Sequence, residues 1–212
     1  LRVRRAAMGN AITLYDGAGA IAEGQLTLLT THRAVVSINS VRHADAPPAI
    51  HLLVPIADRD RMLWLAEKAT ELGLTSWRAV HWRRSRSVSP RGEGPSFAEK
   101  VRARMKAAIE QSGNPWLPKV EPDVDPAPAA TADNSRTRYL LTAGAPPMSG
   151  PIQAPVTLAL GPEGGIEDDE AALFERSGFL PVSVGAHTLR FETAGVVALG
   201  LTRTMLEHTD ER

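Results

Sequence analysis

Beyond residue 50 the sequence alternates between short apolar runs and longer segments with helical periodicity. IHLLVPI (50–56) and PVTLALG (155–161) are almost continuously apolar, which is typical of strands buried on both faces of a sheet. RDRMLWLAEKATELG (59–73) instead repeats its apolar residues at helical spacing and ends at a glycine. Because strands that alternate with helices pair in parallel, the sequence predicts an α/β fold with helices on both faces of a mostly parallel sheet.

The remaining elements of this domain are predicted from the same patterns. Further strands are predicted at 77–82, 117–122, 138–144 and 180–185, and further helices at 97–113, 167–178 and 192–208. Ser96 and Glu99 match a capping box at the start of the second helix. The stretch 121–135 carries three prolines and is predicted to be a loop within the domain.

Residues 1–45 differ from the rest of the chain. AITLYDG (11–17) and QLTLLTTHRAVVSINSV (25–41) are rich in strand-forming residues, and glycines punctuate this region. The pattern predicts short antiparallel strands that form a small β-barrel or half of one. The proline-rich ADAPPA (44–49) is the expected domain boundary. The chain opens on Leu1, so we expect its natural start to lie upstream.

Composition and charge exclude several kinds of site. The chain has no cysteine, which excludes disulfides, thiolate metal sites and cysteine nucleophiles and is consistent with a cytoplasmic protein. No apolar run reaches the roughly 18–20 residues of a membrane helix. The formal net charge is zero, yet residues 77–106 carry nine Arg or Lys and two Glu, whereas 163–175 carry six acids and no base. The basic stretch is either an RNA-binding patch or a solvated, arginine-rich surface.

Two glycine-bearing turns follow predicted strands in the second half of the chain. GPEGG (161–165) follows the strand at 155–160, and GAHTLRFET (185–193) follows the strand at 180–184. Ligands bind beyond the carboxyl ends of parallel strands, and glycines let the backbone approach a ligand closely. Taken alone, GPEGG is equally consistent with a tight turn. The patterns GxxxxGK[ST], GxGxxG, HExxH and GxSxG are absent, and no metal site is expected.

Five blocks, taken in order, resemble the 16S rRNA (uracil-1498-N3) methyltransferase family, which belongs to the SPOUT superfamily of RNA methyltransferases. The blocks are RMLWLAEKATELG (61–73), RSV (86–88), EQSG (110–113), GPEGG (161–165) and VGAHTLRFETA (184–194). The resemblance extends from the N-terminal β region to near the C-terminus. Five ordered blocks are far more specific than any one of them.

This resemblance implies a SPOUT domain with a deep trefoil knot over 46–212, preceded by an N-terminally incomplete PUA-like RNA-binding domain over 1–45. The knot would form a pocket for S-adenosyl-L-methionine from the turn after the 138–143 strand, from GPEGG and from residues 182–190. The family further implies a homodimer that methylates N3 of a specific uridine in 16S ribosomal RNA of the small ribosomal subunit. Neither a metal nor a membrane is expected.

The positions that match the family's motifs give the expected site. The expected cofactor-binding residues are Leu141, Leu160, Gly161, Pro162, Gly164, Gly165, Val184, Gly185, Leu189 and Thr193. The expected catalytic residues are Arg190, Glu163 and Glu192, and the expected RNA-binding residues are Arg83, Arg84, Arg86, Ser87, Arg102, Arg104, Gln111 and Ser112. Two positions depart from the family pattern. Phe191 replaces a small polar residue and is expected to narrow the pocket mouth, and Gly195 replaces alanine, which weakens a helix.

Methylation at N3 of uracil requires loss of the N3 proton and stabilisation of the anion that spreads over O2 and O4. Arg190 is the candidate for the stabilising positive charge, and its alternative role is an ion pair with Glu163 or Glu192. Glu163 is either the base or an acceptor that holds its loop, and we favour the loop role. Trp77 and Trp82 are expected in the core rather than stacked on bases.

Two other functions remain open from the sequence. A SPOUT methyltransferase acting on ribose 2′-O would rely on an Asn and Arg pair near the start of the knot, and no such pair is evident. A non-catalytic RNA-binding protein of the same fold would fail to bind the cofactor. A nucleotide-binding regulator is disfavoured by the absent phosphate motifs.

Overall fold

The structure is a computed structural model that describes residues 7–87 and 90–210. The chain folds into two compact units, each with most of its contacts within itself. One consists of Leu1–Ala46 together with Pro115–Leu117, and the other of Pro47–Asn114 together with Pro118–Arg212. Residues 115–117 therefore belong with the N-terminal unit, although they lie far along the chain.

The N-terminal unit contains a three-stranded antiparallel sheet. Its strands are β1 (Ala11–Tyr15), β2 (Ala20–Leu29) and β3 (Ala34–His43), in the order β1-β2-β3. The antiparallel strands are as predicted, but the run 25–41 spans the end of β2, a turn and most of β3. The described residues form an open sheet and not a closed barrel.

Residues 115–117 pack against the turn between β1 and β2. The N–H of Gly19 donates to the carbonyl of Pro115 at 3.1 Å, and the N–H of Leu117 donates to the carbonyl of Gly17 at 2.9 Å. A Cβ at Gly19 would lie 2.5 Å from the ring of Trp116, so only glycine allows this approach. The prediction of a strand starting at residue 117 is therefore wrong at its beginning.

The second unit is built on a six-stranded, fully parallel sheet. Its strand order is β6-β5-β4-β8-β7-β9. The strands are β4 (Ile50–Pro55), β5 (Ser76–Val80), β6 (Lys119–Val120), β7 (Thr137–Leu141), β8 (Val156–Leu160) and β9 (Leu180–Val182). All five residues of β8 are buried, as expected for a central strand covered on both faces. The predicted α/β class with a parallel sheet is confirmed.

Helices cover both faces of this sheet. They are α1 (Arg59–Glu71), α2 (Pro95–Ser112), α3 (Pro126–Thr131), α4 (Asp168–Arg176) and α5 (Phe191–Asp210). Ala159 of β8 packs in a cluster with Phe174 of α4, whereas the next residue, Leu160, packs against α1 and α5. Successive residues of a strand point to opposite faces, so α4 and α5 lie on opposite sides of the sheet.

Gly195 of α5 packs closely against side chains of α1 and β8. A Cβ at this position would lie 2.9 Å from Leu65 and 3.0 Å from Leu160. The departure from alanine that the sequence indicated therefore matches a close contact between three elements. Glycine weakens the helix locally, but the neighbouring leucines fill the space that a methyl group would need.

Two local predictions are wrong. The expected capping box of Ser96 and Glu99 is not formed, because α2 begins at Pro95 with Gly94 as its N-cap and no side-chain cap. The expected loop at 121–135 contains α3, whose prolines stand in the first turn, where a helix needs no N–H donor. Buried Ala129 and Ala130 stabilise this short helix against the core.

A polar pair lies at the amino ends of β4 and β5. Nδ1 of His51 is 2.7 Å from the hydroxyl oxygen of Ser76. Burial lowers the pKa of His51 below its ordinary value of 6.5, and it outweighs the opposing effects of Asp133 and Glu121. Arg78 lowers this pKa further.

Within the described residues, no helix is long and apolar enough to cross a membrane.

The burial of His51 beside Ser76 makes the free energy of unfolding depend on pH. Because the unfolded chain protonates His51 at a higher pH than the folded protein does, its contribution is complete above about pH 6.5 and is lost as the pH falls toward the lower, folded pKa. We expect urea unfolding at pH 7.5 and 5.5 to show this loss. His51→Gln keeps a polar partner for Ser76 and should reduce the difference between the two pH values.

The matched control replaces the exposed His81 with glutamine, which should leave the pH dependence of unfolding as in the parent protein. An unchanged pH dependence in His51→Gln would contradict the assignment.

Candidate functional site

A cavity of about 650 Å³ opens at the carboxyl ends of β7, β8 and β9. Its walls are residues 140–143, 160–163, 182–185 and 187–191, together with Gly165 and Ile166 of the turn after β8 and several residues of α1, α4 and α5. These segments follow three adjacent parallel strands, so their turns meet at one edge of the sheet. Both glycine-bearing turns singled out in the sequence contribute to the cavity.

Backbone hydrogen bonds fix the turn after β7 against the turn after β9. The N–H of Thr142 donates to the carbonyl of Val182 at 2.9 Å, and the N–H of Ser183 donates to the carbonyl of Pro146 at 2.8 Å. The N–H of Met148 donates in turn to the carbonyl of Ser183 at 2.9 Å. The chain after β7 is thereby tied to the chain after β9 over several residues.

The glycines of GPEGG fit the packing of the turn itself. A Cβ at Gly161 would lie 2.7 Å from the side chain of Ile166, and a Cβ at Gly164 would lie 3.1 Å from Cβ of Arg84. Gly165 has a φ of +78°, which disfavours any side chain. These close approaches explain why the residues are small without reference to a ligand.

Most of the expected cofactor-binding residues line the cavity. Those that do are Leu141, Leu160, Gly161, Pro162, Gly165, Val184, Gly185 and Leu189. Gly164 is not among the lining residues, because its α-carbon faces Arg84. Thr193 is exposed on α5 and is not a lining residue.

A buried tryptophan, Trp82, contacts the end of β8, whose last residue, Leu160, lines the cavity. Nε1 of Trp82 donates to the carbonyl of Leu160 at 3.0 Å, and the centroids of the Trp82 and Phe174 rings lie 4.8 Å apart. Trp82 is 1% exposed and Trp77 is 2% exposed. Both side chains therefore lie in the core, as predicted, and cannot stack on bases.

The charged wall of the cavity contains a residue that sequence reasoning missed. Arg61 of α1 lines the cavity and donates a hydrogen bond to Glu163. Its Nε also lies 3.9 Å from a carboxylate oxygen of Glu192, which is buried and not a lining residue. The only sequence signal for Arg61 was its position in the block 61–73.

Arg190 lines the cavity with an exposed side chain. The two carboxylates proposed as its alternative partners, Glu163 and Glu192, are ion-paired with Arg61 instead. In residues 7–87 and 90–210, Arg190 makes no ion pair within 4.0 Å. Its guanidinium can therefore act on a bound molecule. Phe191, beside it, is buried and also lines the cavity.

The basic stretch and the acidic helix predicted from the sequence meet in space. Arg83 forms ion pairs with Glu167, Asp169 and Glu170 of the α4 region, and its backbone N–H donates to Glu170 at 3.1 Å. Arg83 lowers the pKa of Asp169 through their hydrogen bond. Arg84 pairs with Glu167 and donates to the carbonyl of Gly164 at 3.0 Å. Much of this positive charge is therefore neutralised by half-exposed ion pairs with neighbouring acids of the same chain.

The other expected RNA-binding residues are dispersed. Arg102 donates to the carbonyl of Val120 at 3.2 Å, and Arg104 pairs with Glu67. The hydroxyl of Ser112 donates to a carbonyl of its own helix, and Gln111 is exposed. The side chains of Arg86 and Ser87 lie outside the described set.

Among the described residues, no group of three or more His, Asp or Glu could hold a metal ion.

A family model described as RNA methyltransferase domain matches residues 44–203. The chain belongs to this RNA methyltransferase family. The resemblance inferred from the five sequence blocks is thereby confirmed, and the protein is an RNA methyltransferase. The match covers the whole parallel sheet and every segment that lines the cavity.

Relatives over nearly the whole chain carry the same activity in their names. A ribosomal RNA small subunit methyltransferase E from Synechocystis sp. is 28% identical, over 97% of this chain and 70% of the relative. The crystal structure of such an enzyme from Neisseria gonorrhoeae, bound to S-adenosyl methionine, is 30% identical with a TM-score of 0.80, over 96% of this chain and 86% of that one. A methyltransferase from Legionella pneumophila with bound SAM is 26% identical with a TM-score of 0.86, over 95% and 86%.

The Trp82 contact gives a stability prediction for this methyltransferase. Trp82→Phe removes the donor to the buried carbonyl of Leu160 and leaves a small void, so unfolding should become easier by about 2–4 kcal/mol. Met8 is 68% exposed in the N-terminal unit, and Met8→Ala should change stability by less than about 0.5 kcal/mol. Urea denaturation of the two variants checks the difference. Equal effects would show that the core contact is not the source.

Proposed function

We propose that this enzyme transfers a methyl group from S-adenosyl-L-methionine to N3 of a specific uridine in small-subunit ribosomal RNA. The observation that supports this best is the cavity at the ends of β7, β8 and β9, with Arg190 exposed in its wall. Relatives at 26% and 30% identity bind the same cofactor on the same fold. The alternative reaction is methylation of a ribose 2′-O, and analysis of the product distinguishes the two.

The cavity suits a cofactor of this size and chemistry. Its volume of about 650 Å³ lies within the roughly 300–1,000 Å³ of small-molecule sites. Apolar side chains such as Leu141, Leu160 and Leu189 would contact the adenine and ribose. Backbone groups of the turns at Gly161 and Gly185 would supply hydrogen bonds without obstructing side chains.

The chemistry needs alignment and charge stabilisation more than a strong catalyst. When bound, the cofactor supplies a methyl group activated by a positively charged sulfur. Arg190 would stabilise the negative charge on O2 and O4 of the uracil as the N3 proton leaves. Glu163 is engaged by Arg61, so we assign it to holding its turn and not to proton removal. Glu192 is buried behind the wall and paired with Arg61, so we assign it to holding that guanidinium, and the N3 proton would pass to solvent water.

The atom methylated is constrained by composition. Many enzymes that methylate carbon C5 of uracil first add a cysteine to the ring, and this chain has no cysteine. Methylation at N3 needs only deprotonation and alignment. The product we propose is therefore N3-methyluridine.

The C-terminal part of the chain is proposed to form a trefoil knot, with residues 46–212 as the SPOUT domain. Two features support it. β9 pairs with β7 at the sheet edge, yet α5, which follows, packs back on β8 and α1 in the middle. The turn after β7 is also bonded to the chain that leaves β9. The three-stranded sheet within residues 1–45 is proposed to belong to a PUA-like RNA-binding domain.

We further propose a homodimer and a cytoplasmic site of action on the small ribosomal subunit. Trp64 of α1 and Leu201 of α5 are large apolar residues with 45% and 42% exposure, which is consistent with an interface on these helices. Light scattering distinguishes a dimer from the 22.8 kDa monomer. The RNA-contact role of Arg83, Arg84, Arg102 and Arg104 stays a prediction, and the salt dependence of RNA binding tests it.

Cofactor binding is tested by filling the cavity. Gly185 lines it, and a Cβ there would meet Leu189 at an ordinary 3.5 Å, so the fold should tolerate a side chain. We expect Gly185→Val to weaken S-adenosylmethionine binding more than tenfold by calorimetry, because its methyl groups would occupy cofactor space. Ala103→Val adds the same side chain at an exposed position of α2 that does not line the cavity, so it is the control and should weaken binding much less. Equal losses would refute this placement.

The role of Arg190 is tested by turnover. Arg190→Ala should lower kcat by about 10²- to 10³-fold while sparing cofactor affinity, because the lost interaction is made with charge that develops on the base. Arg190→Lys should restore little, since lysine lacks a planar fork for a carbonyl edge.

Nucleoside mass spectrometry of small subunits treated with the parent enzyme and cofactor should identify N3-methyluridine. Detection of 5-methyluridine or a 2′-O-methyl nucleoside in its place would overturn the proposed reaction.

A further inference from the structure

Arg61 lies between two carboxylates on the wall of the cavity. It stands in the first turn of α1, and its Nη1 donates to Oε1 of Glu163 in the turn after β8. On the other side, its Nε lies 3.9 Å from Oε1 of Glu192 at the start of α5. One guanidinium therefore connects α1, the GPEGG turn and α5.

Glu192 anchors this guanidinium from the protein interior. Glu192 is 9% exposed, and its Oε2 is buried with no hydrogen-bond partner among the described residues. A buried carboxylate is costly unless a cation lies close to it, and Arg61 is the cation that the structure places there. The Arg61 side chain is 32% exposed, so it extends from this buried anchor to the cavity surface.

Glu163 is the only residue of the turn 161–165 with a charged side chain. The other four residues are glycines and a proline, which offer no side-chain hydrogen bond. The turn is otherwise held through its backbone, by Arg84 on the carbonyl of Gly164 and by a bond of 2.9 Å from the N–H of Gly165 to the carbonyl of Pro162. Arg61 thus provides the side-chain contact between this turn and α1.

We infer that Arg61 is a positioning residue that fixes the GPEGG turn for cofactor binding through Glu163. This inference rests on the proposed function only for the identity of the cofactor. The Arg61–Glu163 pair is about one-third to one-half exposed, so it adds little to global stability. A glycine-rich turn without it must be ordered when the cofactor binds, and that ordering weakens affinity.

The test is a double-mutant cycle read by calorimetry with S-adenosylmethionine. Arg61→Met and Glu163→Met should each weaken affinity by about three- to tenfold, which is the cost of ordering one or two side chains. The double variant should be no weaker than either single variant, because both remove the same contact. Additive losses in the double variant would overturn the inference.

Arg59→Met is the matched control. Arg59 lies two residues earlier on α1, does not line the cavity, and makes no ion pair in residues 7–87 or 90–210. Its replacement should leave cofactor affinity within twofold of the parent. In methylation assays, Arg61→Met should raise the KM for the cofactor with kcat largely kept, because the contact is made equally in the ground and transition states. A fall in kcat alone would contradict the positioning role.

A second readout does not depend on the cofactor. Amide hydrogen exchange of residues 161–166 should become faster in Arg61→Met and Glu163→Met, and stay as in the parent in Arg59→Met. Arg61→Met could destabilise the protein because Glu192 loses its cation. In that case the double variant Arg61→Met, Glu192→Gln replaces it in both the calorimetry and the hydrogen-exchange measurement. Parent protein that fails to bind S-adenosylmethionine would refute the proposed function. Unchanged exchange at 161–166 would refute the role of Arg61.

Discussion

Parallel pairing of β7 with both β8 and β9 is the constraint on which the rest of the site depends. It brings the ends of three strands to one edge of the sheet, and the cavity is the space enclosed by the turns that follow them. Each turn alone is a short loop with few side chains. Together they give apolar walls, several backbone donors and acceptors, and one exposed guanidinium, Arg190, in the part of the chain that the structure describes.

Ion pairs connect this edge to the helices around it. Arg83 and Arg84 pair with acids of the α4 region, which follows β8, and Arg61 pairs with Glu163 in the turn itself. The neutral net charge of the chain therefore reflects an internal match as much as a balance of separate surfaces. Because both sides of the turn after β8 are bound to arginines, its glycines can pack closely without leaving it loosely held.

Sequence reasoning predicted most elements of the sheet domain because apolar periodicity is a local property. It failed where the deciding contact was distant. The helix at Pro126–Thr131 was missed because prolines usually interrupt helices, whereas here they occupy the first turn and two buried alanines pack on the core. Gly164 stays a predicted cofactor-binding residue, and the sequence does not reveal that a side chain at this position would meet Arg84.

The sequence by itself determined the α/β class, the family, and the two turns that line the cavity, since each depends on ordered local patterns. Only the tertiary structure decided which charges meet. Arg61 and Glu163 are about a hundred residues apart, and no periodicity or spacing relates them. The parallel sheet brings the start of α1 beside the end of β8, where the guanidinium of Arg61 and the carboxylate of Glu163 pair through a charge-assisted hydrogen bond. That pairing leaves Arg190 without a carboxylate partner among the described residues.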